Sequence, residues 1–153
     1  METTGAATAI ARRKLSSPMR HLLNRGLILA DEHRILDYGC GRGSDVEILR
    51  EWGHDVDGWD PHWAPGAVEA GAYDIVTCHF VLNVIDPARE RDVLSGILTA
   101  MKPGALAFIT VRRDIPRAGQ PGRGCFQRWV ECPKGWGVEA EKRGQWAMFW
   151  RRK

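Results

Sequence analysis

The sequence predicts an α/β fold in which a mostly parallel sheet carries helices on both faces and ends in an antiparallel C-terminal edge. Three observations lead there. Short apolar runs at RILDYG, HDVDGWD, YDIVTCHFV and ALAFITV alternate with helix-period segments. A glycine turn, GCGRG, joins the first of these runs to a helix. After the last run, CFQRWVE and QWAMFWRRK read as two closing strands, giving the order β-α-β-(short)-β-α-β-β.

Taken in order, TAIARRKLSSPMRHLLNRGLI places Leu15, Met19, Leu22 and Leu23 at helical intervals. Ser17 and Pro18 read as N-cap and first helical residue, so a helix runs from about Pro18 to Asn24 and stops near Gly26. RILDYG is a short buried strand. SDVEILREWG is a helix capped by Ser44, with Val46, Ile48 and Leu49 inward and Gly53 ending it. HDVDGWD, with Val56 and Trp59 as its bulky members, is the second strand and ends at Asp60 and Pro61. PHWAPGAVEAGA is too short and irregular for a further helix and strand. YDIVTCHFV gives the strongest β signal and belongs at the centre of the sheet. A helix over Pro87 to Met101 then buries Val93, Ile97, Leu98 and Met101, KPG turns, and ALAFITV returns as a parallel-type strand. RRDIPRAGQPGRG is a loop by its Arg, Gly and Pro content, and CPKGWGVEAEKRG a loop or short helix between the closing strands.

At 153 residues and 44% hydrophobic, the chain is one domain's length and buries roughly 70% of its unfolded surface. It divides into an N-terminal helical segment (1–30), a core (34–111) and a C-terminal loop with closing strands (112–153). A net charge of +3 permits an anionic ligand but is far from that of a nucleic-acid-coating protein. The opening METTGAATAIARRKL has no apolar signal core, and no run approaches the roughly 20 apolar residues of a membrane span, so a soluble, cytoplasmic protein is expected. Cys40, Cys78, Cys125 and Cys132 form no C-x-x-C pair, which argues against a metal site and against iron–sulfur radical chemistry.

The glycine turn is the informative motif. In a sheet of this kind the ligand sits beyond the carboxyl ends of the strands where strand order reverses. Gly39, Gly41 and Gly43 let backbone approach a ligand closely, and Asp60, at the end of the second strand and 23 residues after Asp37, is placed to accept hydrogen bonds from ribose hydroxyls. The spacing is G-x-G-x-G, with Ser44 where a dinucleotide fingerprint has its third glycine. Asp37 would repel a pyrophosphate but pairs well with an ammonium. A ligand with a ribose and an amine but no phosphates satisfies both acids, as S-adenosylmethionine does. A ligand-free structural crossover is the plainer alternative.

DYGCGRG, GWDP, YDIVTCHFVLNVI and MKPGALAFITV resemble, in that order, the cofactor motifs of the class I, Rossmann-like S-adenosylmethionine-dependent methyltransferases, over about residues 34–111. More narrowly, TAIARRKLSSPMR with DYGCGRGSDVEIL and DVDGWDP resembles small bacterial and phage methyltransferase-like proteins, including those beside DNA phosphorothioation systems. The resemblance implies S-adenosylmethionine as cofactor. Asp37, Tyr38 and the turn Gly39, Cys40, Gly41 and Gly43 would hold its methionine part, Asp60 and Pro61 its ribose, and Cys78, His79 and Phe80 would line the adenosine and methionine side. The family's third strand and its helix do not fit between Pro61 and Tyr73, which leaves adenine to His62 and Trp63 or to backbone groups; Trp59 is a weaker stacking candidate than Trp63.

On the acceptor side, Arg112, Arg113 and Asp114 follow the strand beside the cleft and either grip an anionic substrate or form a salt-bridged loop. Arg20 is a candidate for the cofactor carboxylate, and ARRKLSSPMR either covers the cofactor, meets nucleic acid or is a solvated face. No catalytic residue is assigned; His79 and Asp114 are candidate proton acceptors, with wall and capping roles as alternatives for His79 and Asn83. CHFVLN lacks the N/D-P-P-[YF] sequence associated by resemblance with base amino methylation, which favours a small-molecule acceptor over nucleic acid. A non-catalytic S-adenosylmethionine-binding module and a nicotinamide-dependent oxidoreductase are the readings of other classes.

Overall fold

The computed structural model describes residues 5–153. Its main elements are α1 (Ser17–Asn24), β1 (Arg34–Tyr38), α2 (Ser44–Glu51), β2 (Asp55–Trp59), β3 (Tyr73–His79), α3 (Glu90–Ala100), β4 (Met101–Arg112), a hairpin of β5 (Gln120–Pro121) and β6 (Phe126–Gln127), β7 (Gly137–Lys142) and β8 (Trp146–Arg152). Six strands form one sheet in the order β2-β1-β3-β4-β8-β7. The first four are parallel, while β8 pairs antiparallel with both β4 and β7. This is the Rossmann-like α/β sheet with an antiparallel C-terminal edge. Between Asp60 and Tyr73 there is only an isolated bridge, Asp60 to Ala64, in place of a third strand and helix.

The pleat divides the core in two. Ile35, Ile75, Phe108 and Met148 face one side with α1 (Met19, Leu22) and α2 (Val46, Leu49); Leu36, Val76, Ile109 and Phe149 face the other with α3 (Ile97, Ala100). β3, the apolar run YDIVTCH, is hydrogen-bonded on both edges, by β1 and β4. From β1 the chain goes to β2 on one side and then to β3 on the other, so order reverses at β1 and a crevice opens beyond the carboxyl ends of β1 and β3.

Several element ends differ from expectation, each for a local reason. Ser16, not Ser17, caps α1: its hydroxyl accepts from Met19 N and donates to Asp45. Gly43 at φ +79° precedes α2, so Ser44 is its first residue, and its hydroxyl accepts from Arg12 N at 2.8 Å. Pro87–Arg89 is a separate 3-10 turn, and β4 begins at Met101, absorbing the K-P-G expected as a turn. The outer closing strand is β7 within the segment expected as loop, whereas CFQRWVE contributes only Phe126–Gln127 to the small hairpin. An edge strand such as GVEAEK needs no apolar face: Val138 is exposed, and Glu139 lies 3.6 Å from His21 and 3.7 Å from Arg25.

Candidate active site

Two adjoining chambers lie at the carboxyl ends of the strands. The first, about 400 Å³, is bounded by Asp37–Cys40, Asp45, Trp59–His62, His79–Val81, Val84, Ile85, the start of α3 and a strap of N-terminal chain from Thr8 to Arg12. Glycines shape its floor. Gly39 and Gly41 have φ of +82° and +56°, and a Cβ on Gly39 would stand 2.4 Å from Val81 Cγ2. Gly39 N and Cys40 N both donate to Trp59 O, tying the turn to the end of β2.

Asp37 is 5% exposed and its Oδ1 accepts from Thr77 Oγ1 at 2.9 Å. Burial, reinforced by the Asp45 and Asp60 charges, pushes it up to about 7 against the downward pull of Thr77 and Arg12. A cation brought to this carboxyl therefore meets a group that ionises readily in its presence. Asp60 Oδ1 accepts from His62 N and Trp63 N, and Oδ2 from Gly41 N at 3.0 Å. That leaves one lone-pair direction on Oδ2 for an outside donor. With Asp45 and Asp92 also on its walls, the chamber is hostile to phosphate.

The strap is stitched across the α2 N-terminus. Arg12 N donates to Ser44 Oγ, Arg42 Nε to Ala9 O at 3.3 Å, and Ser16 N to Asp45 Oδ1 at 2.8 Å. The helix end that could bind an anion is thus engaged by the chain itself. Arg12 brings its positive charge to act on Asp37 and His79.

His79 Nδ1 lies 2.9 Å from Thr110 Oγ1, and its Nε2 is buried with no partner among the described residues. Burial holds the imidazole down at about 4, with Arg12 acting in the same direction. It is neutral at ordinary pH. The thiols are poor nucleophiles: burial, aided by Asp37 and Asp60, pushes Cys40 up to about 12, and Cys78 is raised by burial as well.

The first chamber gathers Asp37, Tyr38, Gly39, Cys40, Asp60, Pro61, His79 and Phe80. The remaining candidates stand elsewhere. Cys78 points into the core and is 1% exposed. Gly41 and Gly43 shape the turn without bounding the chamber, and Trp63 lies outside it, its ring 4.3 Å beneath the Arg42 guanidinium. Arg20 donates to Leu15 O rather than reaching the chamber. Arg112 and Asp114 form a bidentate pair with both bonds at 2.8 Å, on the wall of a second chamber. Arg113 lies over Trp129 at 4.2 Å instead. Asn83, fully buried, accepts from Arg112 N and donates to Arg128 O, a bridge between chain segments. Arg12, Val84, Ile85 and Val93 were not singled out by sequence; the R-R in the ARRKL stretch was the only signal for the first, and the other three read as ordinary helix or loop residues.

The model for a methyltransferase domain matches residues 11–152. The chain belongs to this methyltransferase family. Among curated relatives, the ubiquinone biosynthesis O-methyltransferase of Acinetobacter baumannii (strain AYE) is 30% identical over 112 residues, covering 56% of this chain and 46% of that protein. The chain thus spans about half the length of the curated relatives it matches. A Burkholderia thailandensis 1,6-didemethyltoxoflavin-N1-methyltransferase, solved with 1,6-didemethyltoxoflavin and S-adenosylhomocysteine, is similar with TM-score 0.66 at 18% identity, over 90% of this chain and 77% of that one. An Archaeoglobus fulgidus SAM-dependent methyltransferase gives TM-score 0.56 at 16% identity, over 88% and 92% of the two chains. At these identities the likeness establishes the fold. Among the described residues no helix is long and apolar enough to cross a membrane.

Proposed function

We propose that this chain binds S-adenosylmethionine in the first chamber and transfers the methyl group to a small molecule. The observation that carries the reading is Asp37: a buried carboxyl at the point of strand reversal, facing a glycine floor among other acids, suits an amine and not a phosphate. Asp37 would hold the amino group, Arg12 the carboxylate and the free lone pair of Asp60 the ribose. Tyr38, Trp59, Ile85 and Val93 bound the end that suits the base. The family resemblance and the S-adenosylhomocysteine seated in the Burkholderia neighbour support this assignment.

When bound, the cofactor supplies a methyl carbon already activated by a sulfonium. The chain's own work is to align an acceptor and exclude water, to which the strap over residues 8–12 is suited. His79, neutral and with a buried free nitrogen, offers a hydrogen bond without charge. A small-molecule acceptor accords with chambers of a few hundred Å³.

Calorimetry with S-adenosylhomocysteine and with NAD+ tests the cofactor. Binding of the first alone is expected; binding of the second alone overturns the reading. Mass-spectrometric methyl-transfer assays across phenols, heteroaromatic amines and duplex DNA then test the acceptor. Product on DNA, with affinity falling steeply with salt, favours the nucleic-acid alternative. Nucleoside binding with no product from any class supports a non-catalytic module, which the chain's short acceptor half makes the competing reading.

A further inference from the structure

The geometry points to the second chamber as the acceptor site, and to an uncharged, flat molecule of metabolite size carrying an N–H or O–H donor as its occupant. This rests on the methyl-transfer reading above. The chamber is about 470 Å³ and is built from four separated pieces of chain: the start of α1 (Ser16–Pro18), the end of β4 (Arg112, Asp114), the hairpin (Gln127) and the start of β8 (Trp146). Ile10, Arg12, Phe80 and Val84 bound both chambers, so an occupant lies across a shared wall from the nucleoside.

Charge is already balanced within the walls. The bidentate bonds raise the Arg112 guanidinium and lower the Asp114 carboxyl, so both stay ionised and committed to each other. An anion would have to break that pair. Arg12 stands on the shared wall, where its charge acts on Asp37 and His79.

The polar handle is Gln127. It is 4% exposed, and its Oε1 is buried with no donor among the described residues, while its Nε2 has only a long contact of 3.9 Å to Cys125 Sγ. A buried amide oxygen without a donor is destabilising, and a ligand N–H or O–H repairs it. Backbone pairing of Gln127 with Gln120 fixes where that oxygen sits.

Two aromatic side chains make the occupant flat. Trp146 is 5% exposed, its Nε1 donates to Ser17 Oγ at 3.0 Å, and His21 meets it edge-on at 5.5 Å, so the ring is held. Phe80 has φ +59°, the one positive value at a non-glycine among the described residues, and its N–H donates to Thr110 O at 2.8 Å. A bulky residue in the left-handed region is strained, and here the strain holds an aromatic side chain on the wall common to both chambers.

The test uses nitrogen-15 NMR of the full chain, with and without S-adenosylhomocysteine, and three probes: 2-quinolone, N-methyl-2-quinolone and 2-quinolone-4-carboxylate. The expected result is that 2-quinolone shifts the Trp146 indole and Gln127 side-chain amide signals and binds at least tenfold tighter than its N-methyl analogue. Gln127→Leu abolishes that discrimination while S-adenosylhomocysteine affinity stays within twofold. The comparison of the two quinolones on the unaltered protein stands even where that variant fails to fold. No shift at Trp146 and Gln127, equal binding of the two neutral probes, tenfold preference for the carboxylate, or displacement of 2-quinolone by a single-stranded oligonucleotide overturns the proposal. Failure of S-adenosylhomocysteine to bind sinks the cofactor reading instead, and the quinolone measurements without it still decide the chamber.

Discussion

The two chambers share a wall but are made differently. The first is formed largely by one run of chain, Asp37 to Asp45, whose backbone supplies the surface and whose acids supply the chemistry. The second is assembled from side chains that the sheet brings together from residues 8 to 146. A backbone surface admits no added atom, whereas a side-chain surface can change residue by residue while the fold stays put. The first chamber should therefore respond to substitution in an all-or-none way, and the second in graded steps.

The sharpest break of that contrast is Gly39→Ala. The new Cβ would lie 2.4 Å from Val81 Cγ2, at a φ of +82° that alanine resists. S-adenosylhomocysteine affinity is expected to fall at least 100-fold, with a stability loss of about 1–3 kcal/mol in urea melts. Adding Val81→Ala relieves the clash but not the backbone strain, so it restores part of the loss. Full restoration would show that shape, not backbone conformation, makes the floor.

Asp37 gives the next largest effect, through pH. Its folded value of about 7 lies above the ordinary 3.8, so the folded, ligand-free protein holds a proton that the unfolded chain has released. Its contribution to stability is complete below pH 4 and lost as pH rises through 7. Ligand affinity runs the other way, since the amine requires the ionised carboxylate: S-adenosylhomocysteine should bind about tenfold tighter at pH 8 than at pH 6. Asp37→Asn should flatten both profiles and weaken binding at pH 8. Equal pH slopes in the two proteins would remove Asp37 from the cofactor's amine.

The same contrast explains what the sequence disclosed. Asp37, the glycine turn and Asp60 are legible because period-2 runs locate the strand ends and a close backbone approach demands glycine. Ser16 was missed as the α1 cap because Ser17 lies one residue nearer Pro18, and the deciding partner, Asp45, is 29 residues away. β7 was missed because an edge strand carries no apolar stripe. Gln127 and Trp146 give no local sign of sharing a chamber, since only the β4–β8 pairing and the hairpin bring them together. Contiguous chemistry is written locally; assembled chemistry is written in the topology.

A smaller effect is expected where the strap is fastened. Ser16→Ala removes the donor to buried Asp45 and the acceptor for Met19 N. Thermal melts should show a loss of about 1–2 kcal/mol, and S-adenosylhomocysteine affinity should fall several-fold as residues 8–12 loosen. Unchanged affinity alongside the stability loss would separate the strap from ligand retention.

The smallest effect belongs to the second chamber and sharpens the contrast from its other side. Arg112 and Asp114 are partly exposed, with side chains 29% and 45% accessible, so their pairing contributes only about 0.2–1 kcal/mol. A cycle of Arg112→Ala, Asp114→Ala and the double variant should return a coupling in that range by urea melts, with S-adenosylhomocysteine affinity within twofold throughout. Removing Asp114 alone leaves an unbalanced guanidinium, so 2-quinolone-4-carboxylate should then gain affinity relative to 2-quinolone, while the double variant should return towards the original order. A reversal of preference without any loss of cofactor is what a side-chain surface permits and a backbone surface does not. If the single variants instead weaken the nucleoside tenfold, the two chambers are one site, and the division between a fixed half and an adjustable half fails.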